Sequence, residues 1–339
     1  MVKRTIGPIF FVLILVAAFF AFHHRSQKTD LKPIYILSYS SFNSLLGPGK
    51  KLKKLFEKSC SCKLHIINGG EAGLLIQKMQ YLDQVDAVVG LDQFTLDRAR
   101  DKYKWQPLNL QKSQFIDELR DQIEGNFVPF DWSPLTIIYK KSSFKSDVSA
   151  IKSLSGWIRL GVKKQLSLQD PRTSTPGMHF LWWLYSQDPT LAIVKKLKPL
   201  MHSVSPSWDT SYGLFQRGQV KLTFSYLTSL LYHWLETKDY DYTAYVGESG
   251  HPYQIEYAGV PMICTQCELA KKFVKFLLQP EVQRLLMTKN YMLPTVDLKP
   301  SPAILQKLPK LKLLSKQSFK QFKDNYDSTL EKWEAVVFN

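Results

Sequence analysis

Short apolar runs alternate with amphipathic stretches along the first hundred residues after position 30. The runs rich in β-branched and aromatic residues predict buried strands at 34–38, 63–68 and 86–90. Helical periodicity predicts a helix after each strand, at about 49–59, 74–82 and 92–103. Alternation of strands and helices at this spacing predicts an α/β layer with a mostly parallel sheet.

Two longer extended stretches, 127–139 and 253–263, divide the rest of the chain. The remaining predicted elements are strands at 158–162 and 222–226 and helices at 268–278, 281–287 and 317–337. This order indicates two lobes joined by two extended crossover strands, which are expected to enclose a cleft that closes by hinge motion. The predicted division is 31–130 with 256–339 for one lobe and 131–255 for the other.

The segment 1–30 has the pattern of an export signal. Lys3 and Arg4 precede an apolar run over 9–22, which is shorter than a full membrane span. The small residues that normally mark a cleavage site are not both present, so an uncleaved N-terminal anchor fits as well. Either reading predicts that the body of the protein lies outside the cytoplasm.

The composition and the sequence motifs disfavour nucleic-acid binding and enzymatic activity. The 339 residues carry 45 Lys and Arg against 29 Asp and Glu, a net charge of +16. No helix-turn-helix, zinc-finger or RNP motif accompanies this charge, so basic helix faces are expected rather than a nucleic-acid partner. No P-loop, Gly-x-Ser-x-Gly or His-Glu-x-x-His motif occurs, and the sequence therefore does not favour an enzyme.

Four cysteines lie in two close pairs. An exported chain permits disulfides, and Cys264 and Cys267 can bridge within one turn. Cys60 and Cys62 can pair only with strain if their segment is extended. A four-cysteine zinc site is the alternative, although the single-residue spacer is unusual for zinc, and no metal is expected.

The run Asp170–Gly177 combines a strand end, a hydroxyl-rich turn and a helix start. Ser174 or Thr175 can cap the helix, and Pro176 suits its first turn. Free N–H groups and a partial positive charge at such a start favour an anion. A capped helix without a ligand is the alternative interpretation.

This run and several others resemble the periplasmic thiamine-binding proteins of ABC importers. The resemblance extends from about residue 33 to the C-terminus, and its main blocks occur in matching order and spacing. The blocks are Ser38–Phe42 with Gly47–Gly49, Cys60–Cys62, Asp86–Asp92, Phe127–Asp131, Asp170–Gly177, Trp208 with Tyr212–Phe215, and Ser225-Tyr226 with Thr228-Ser229. The resemblance implies a two-lobed periplasmic binding protein fold, type II-like, of the α/β class.

The same resemblance implies a receptor that captures thiamine or thiamine phosphates in the cleft. Its partner would be an ABC permease in the inner membrane, and the receptor would be a periplasmic monomer without a cofactor. Tethering to the inner membrane by an uncleaved N-terminal segment is the alternative placement.

Twelve residues are implied as the ligand site. Ser174 and Thr175 would bind the phosphate or hydroxyethyl end of the ligand, and Tyr39 would face the cleft from the other lobe. The remaining implied positions are Glu71, Ala72, Trp208, Tyr226, Leu227, Thr228, Ser229, Tyr232 and Tyr291. Aromatic faces suit a flat aminopyrimidine and a cationic thiazolium, because ring quadrupoles attract cations.

The chain departs from the family pattern at several of these places. Ser40 stands where an Asp is typical, and Glu71-Ala72 replaces an Asp-Gly pair. Leu46 stands where an aromatic residue is expected, and Tyr291 stands where a Trp is expected. Fewer acidic and aromatic contacts, together with the positive net charge, favour a phosphorylated or altered ligand over a bare cation.

Three other functions compete with a thiamine receptor. A receptor of the same fold could take a polyamine or a ferric ion, although Ser225-Tyr226-Leu227 lacks the adjacent tyrosine pair of many ferric-ion receptors. A membrane-anchored ligand sensor would suit an uncleaved N-terminus. An exported hydrolase would need a catalytic nucleophile with an adjacent base, and no motif in the sequence indicates such a pair.

Overall fold

The computed structural model describes residues 31–123 and 125–338. Its strands are β1 (Lys32–Ser38), β2 (Cys62–Asn68), β3 (Ala87–Leu91), β4 (Phe127–Lys140), β5 (Leu166–Gln169), β6 (Met201–Ser205), β7 (Leu222–Tyr226), β8 (Tyr242–Ala244) and β9 (Tyr253–Gly259). Its α-helices are α1 (Gly49–Ser59), α2 (Leu75–Met79), α3 (Thr95–Lys102), α4 (Leu154–Arg159), α5 (Thr175–Gln187), α6 (Ala192–Leu197), α7 (Trp208–Gln216), α8 (Ser229–Tyr232), α9 (Cys267–Phe276), α10 (Pro280–Lys289), α11 (Lys316–Asp324) and α12 (Tyr326–Val337).

The strands form a sheet in the order β2-β1-β3-β9-β4-β7-β5-β6, with β8 beside β4. The strands β1–β3 are the first sheet half, and β5–β7 are the second. The 14-residue strand β4 spans both halves, because its Phe127–Pro134 segment pairs with β9 and its Leu135–Tyr139 segment pairs with β7. The two expected crossovers are therefore adjacent antiparallel strands.

Large aromatic side chains fill the core beneath both halves. In the first half, Phe56 of α1 packs edge-on against Phe273 of α9, with ring centroids 5.0 Å apart. In the second, Trp182 and Trp183 of α5 are completely buried, and Trp183 stacks on Phe224 of β7. Burial of these large rings removes much apolar surface from water and stabilises the frame of the cleft.

The predicted strand over 158–162 is wrong. Ser153 caps α4 by accepting a hydrogen bond from the Gly156 N–H, and the chain turns at Gly161 with φ of +66°. The run thus covers the end of a short helix and the turn after it, while the strand comes later, as β5. A short apolar run does not separate a buried helix from a strand by periodicity alone.

The predicted C-terminal helix over 317–337 is two helices, which break at Asn325. Both fall in the range expected for the first lobe, yet α11 packs on α5, and α12 packs on α5 and α6. The chain end therefore returns to the second sheet half, a contact between distant segments that no local pattern signals.

Both cysteine pairs form local disulfides, Cys60–Cys62 and Cys264–Cys267. The zinc alternative is wrong, because all four sulfur atoms are bonded in pairs. Cys60 and Cys62 are accommodated where α1 ends and β2 begins. The predicted export signal lies outside the described residues; within them, no helix has the length and apolar character needed to cross a membrane.

Candidate functional site

A cavity of about 320 Å³ lies between the two sheet halves. The first half contributes the loop after β1 and the loop after β2. The second contributes the starts of α5 and α7 and the end of β7. Its walls include Tyr39, Glu71, Ala72, Ser174, Thr175, Trp208, Asp209, Tyr226, Ser229, Tyr232, Gln254, Glu256, Asn290 and Tyr291.

Ten of the twelve implied ligand residues line this cavity. Leu227 and Thr228, which the resemblance also implied, are not among its lining residues. Leu227 packs into the apolar core beside α8, and the buried Thr228 hydroxyl donates to Ser133 Oγ at 3.1 Å. The chain turns from β7 into α8 at these positions, which directs both side chains inward.

Tyr39 reaches the cavity floor because Gly90 makes room for its ring. Gly90 has φ of +105°, and a Cβ there would lie 2.3 Å from the Tyr39 ring. The phenol donates to Glu256 Oε2 at 2.7 Å and accepts from Asn290 Nδ2 at 2.9 Å. Burial and the nearby carboxyl groups of Glu256 and Asp131 raise the pKa of Tyr39, so it stays a neutral donor.

Trp208 forms part of the aromatic wall. Its ring stacks on Tyr212, with centroids 4.7 Å apart and planes 16° from parallel. The indole N–H donates to Ser225 Oγ at 2.8 Å, and Ser225 is in turn hydrogen-bonded to Ser229. The ring stacking and the hydrogen bond together hold the indole of Trp208 in one orientation at the cavity wall.

Tyr291 adds a second aromatic group at the cavity. Its ring meets Tyr232 edge-on at 5.5 Å, and its hydroxyl donates to Glu236 Oε1 at 2.9 Å. Lys289 Nζ donates to the same carboxylate oxygen at 3.3 Å. These contacts lower the pKa of Glu236 and engage the Lys289 ammonium.

Ser174 occupies the cap position of α5, but its hydroxyl does not cap the helix. The residue is 2% exposed, and its Oγ has no hydrogen-bond partner within residues 31–123 and 125–338. The first turn of α5 lies close to the end of β5 because Gly177 has no side chain; a Cβ there would approach Asp170 and Gln169 backbone atoms within 2.7 Å. The helix start therefore presents an unused hydroxyl at the cavity.

Three carboxyl groups line the cavity, and only Glu71 was anticipated from the sequence. Burial raises the pKa of Glu71, with a further contribution from the charge of Asp209. Loss of hydration also raises the pKa of Asp209, and burial raises that of Glu256 to about 7. The cavity is thus acidic, although the whole chain carries a net charge of +16.

The sequence does not single out three further cavity residues, because nothing local marks them as cleft residues. These are Asp209, Glu256 and Asn290. Asp209 follows Trp208 directly, and Glu256 is a lone acid in a run of buried strand residues. An acid in a fully buried strand is a usable signal, since such a group needs a polar partner or a ligand. Among the described residues, no three His, Cys, Asp or Glu side chains converge on a possible metal position.

The fold and the cavity define a class of protein: a two-lobed α/β solute-binding protein with its site between the lobes. A solved structure titled "Periplasmic thiamin binding protein" superposes with a TM-score of 0.81 at 28% identity, covering 91% of this chain and 98% of that one. A ferric binding protein from Campylobacter jejuni superposes with a TM-score of 0.70 at 17% identity, which shows the shared fold alone. The expected two-lobed fold is confirmed.

The chain belongs to the bacterial extracellular solute-binding proteins, whose family model matches residues 39–291. It is 32% identical over 317 residues to the "Thiamine-binding periplasmic protein" of Salmonella typhimurium, covering 90% of this chain and 94% of the relative. The relative of that name in Escherichia coli is 32% identical over 286 residues, covering 82% and 86%.

Proposed function

We propose that this protein is a periplasmic receptor that captures thiamine or thiamine phosphates in the cavity and delivers them to an ABC permease. The observation that supports this function most directly is the cavity lining. Aromatic rings, carboxyl groups and the buried Ser174 hydroxyl, which has no hydrogen-bond partner among the described residues, converge there. The names of relatives at 32% identity support the same ligand.

The lining suits each part of thiamine. Trp208 and Tyr226 offer aromatic faces to the flat aminopyrimidine and to the thiazolium cation. Glu71 and Asp209 supply negative charge against the thiazolium. Ser174, at the start of the 13-residue helix α5, offers its hydroxyl to the hydroxyethyl or phosphate end.

The acidic lining changes the expectation about phosphorylation. The positive net charge of the chain favours a phosphorylated ligand in the sequence-based argument, but the local field at the cavity comes from its own carboxyl groups. Lys289 lines the cavity but is paired with Glu236. We therefore infer that thiamine binds at least as tightly as thiamine diphosphate.

We also propose that the receptor is a monomer that delivers its ligand to the permease outside the cytoplasm. If its N-terminal segment is not cleaved, that segment would tether the receptor to the inner membrane. The intact mass of the exported protein separates the cleaved form from the tethered form.

Calorimetric titration of the full chain, purified in mild detergent and refolded to remove any bound ligand, tests the proposal. Thiamine, thiamine monophosphate and thiamine diphosphate are the ligands, and spermidine and ferric citrate represent the competing receptors. We expect micromolar or tighter binding of thiamine and none of spermidine or ferric citrate. A folded protein that binds none of the three thiamine forms contradicts the proposal.

A further inference from the structure

Two carboxyl groups meet at the floor of the cavity, on the crossover strands themselves. Asp131 of β4 and Glu256 of β9 are register partners across an antiparallel pair. Both are buried, with exposures of 0% and 5%. The register shifts just before Asp131, so the pair lies at an irregularity in the strands that join the two sheet halves.

The two groups share a small polar network. Because they are register partners, their side chains lie beside one another on the same face of the strand pair, and each acts on the pKa of the other. Asp131 Oδ1 has no hydrogen-bond partner among the described residues. Asn290 Nδ2 donates to Asp131 Oδ2 at 2.7 Å, and Tyr39 donates to Glu256 Oε2 at 2.7 Å. A hydrogen bond between two carboxyl groups requires a proton on one of them.

Among the residues that the structure describes, the charged and titratable groups around the pair include no cation that would neutralise two carboxylates. Tyr39 faces it from the loop after β1, Asp92 from the end of β3 and Tyr226 from the end of β7. Asn290 and Gln254 are neutral amides. Lys289 lines the same cavity, but its ammonium is held by Glu236.

Buried acids side by side cannot both ionise without a counter-charge. Burial raises the pKa of both Asp131 and Glu256, and that of Glu256 lies at about 7. Glu256 lines the cavity, whereas Asp131 lies behind it. Glu256 is thus the member of the pair that a cation in the cavity can reach.

We propose that Asp131 and Glu256 form a proton-sharing subsite for the positive charge of the ligand, in which Asp131 keeps its proton and Glu256 loses its own when the cation enters. The inference rests on the proposed function, because it needs a cationic ligand. One proton passes from Glu256 to solvent through the cavity, and the thiazolium charge takes its place beside the carboxylate. The neutral Asp131 carboxyl then donates to Glu256.

Affinity for thiamine between pH 6 and 8.5, with the full chain in mild detergent, tests this exchange. The thiazolium charge itself does not titrate. We expect affinity to fall by up to about tenfold per pH unit below pH 7, as one coupled proton requires. Titrations at pH 6.5 in two buffers of different ionisation enthalpy should show proton release on binding.

Two variants separate the roles of the pair. Glu256→Gln should bind thiamine at least about tenfold more weakly at pH 8 and without pH dependence, since one unit of differential interaction is tenfold. Asp131→Asn retains a neutral hydrogen-bond donor beside Glu256, so the affinity of this variant should still fall below pH 7. Loss of the pH dependence in a folded Asp131→Asn variant would mean that Asp131 carries the titrating proton, and would overturn the assignment.

Carbon-13 NMR of the side-chain carboxyls in the ligand-free protein examines the pair without any ligand. We expect one carboxyl resonance that titrates near pH 7 and that is missing in Glu256→Gln. If the carboxyl groups of Asp131 and Glu256 both ionise well below neutral pH, the inference is overturned. Thiamine binding that is independent of pH overturns the exchange alone. Failure of thiamine to bind at any pH overturns the proposed function and the exchange with it.

Discussion

Single residues in this cavity owe their roles to their neighbours. Trp208 is one of eight tryptophans, and the fully buried Trp157, Trp182, Trp183 and Trp333 show what most of them do. Trp208 differs because it lines the cavity and because Tyr212 and Ser225 hold its ring in one orientation. An oriented ring loses little entropy when a ligand stacks on it.

Trp208→Ala should therefore weaken thiamine binding. Loss of a cation–π contact of about 0.5–2 kcal/mol corresponds to roughly two- to thirtyfold in the dissociation constant. Calorimetric titration measures the effect. Trp157→Phe, in the core away from the cavity, is the matched control, and it should lower stability while leaving affinity unchanged. Equal affinities in native protein and a folded Trp208→Ala variant would refute the role of this ring.

His251 is a residue whose role is structural. It is completely buried, packs near Trp183 at 5.2 Å, and accepts a hydrogen bond from the Gly247 N–H at Nε2. Burial lowers its pKa from 6.5 to about 4. Protonation would place a charge in the core and remove the acceptor at Nε2.

The free energy of unfolding should therefore fall as pH drops from about 6.5 to about 4, because the unfolded state takes up the proton first. The free energy of unfolding should fall by up to about 3 kcal/mol, since one pKa unit corresponds to about 1.36 kcal/mol. Urea unfolding at pH 7 and pH 5 measures the loss. His251→Gln keeps an acceptor that does not titrate, and its loss over this interval should be smaller than that of the native protein; an equal loss contradicts the assignment.

Among the elements, α5 connects sequence pattern and site most directly. Its start was identified from Asp170–Gly177, and the structure places that start at the cavity. The predicted side-chain cap is absent, since the Ser174 hydroxyl has no partner among the described residues. The close packing of the first turn on β5 comes instead from Gly177.

Gly177→Ala should destabilise the protein by about 1–3 kcal/mol, the usual cost of forcing a group into a packed position. A Cβ at this position meets backbone atoms, which cannot move aside as a flexible side chain can. Thermal unfolding followed by circular dichroism measures the change. Gly125→Ala is the control, because a Cβ there meets no atom within 4 Å; similar losses in both variants would rule out the steric explanation.

At the scale of the whole molecule, β4 and β9 hold the two halves together. Their pairing runs from Phe127 to Pro134, and the shift at Pro129–Asp131 breaks the regular ladder there. Only a few strand residues need to change conformation for the halves to move relative to one another. Because the cavity draws its walls from both halves, closure and ligand binding are linked.

Saturating thiamine should reduce the radius of gyration measured by small-angle X-ray scattering, since the ligand contacts both halves only when they are closed. The expected contraction is a hinge closure without loss of secondary structure. Spermidine at the same concentration, which the cavity is not expected to bind, serves as the uncontracted control. A native protein that binds thiamine calorimetrically with unchanged scattering would show that the halves do not move on binding.

By itself, the sequence determined the alternation of elements and the two long crossovers, and its resemblance to a known family implied part of the cavity lining. Strong local periodicity identified β1–β3 and their helices, and ten of the twelve positions implied by the resemblance line the cavity. The apolar run at 158–162 misled, because helix and strand share that pattern over so short a length.

The tertiary structure alone decided which groups meet. Asp131 and Glu256 are 125 residues apart in sequence but are partners across β4 and β9. Leu227 and Thr228 turn into the core although their neighbours Tyr226 and Ser229 line the cavity. The acidic character of the cavity arises in the same way, since burial and proximity between distant segments, rather than the net charge of the chain, govern the local field.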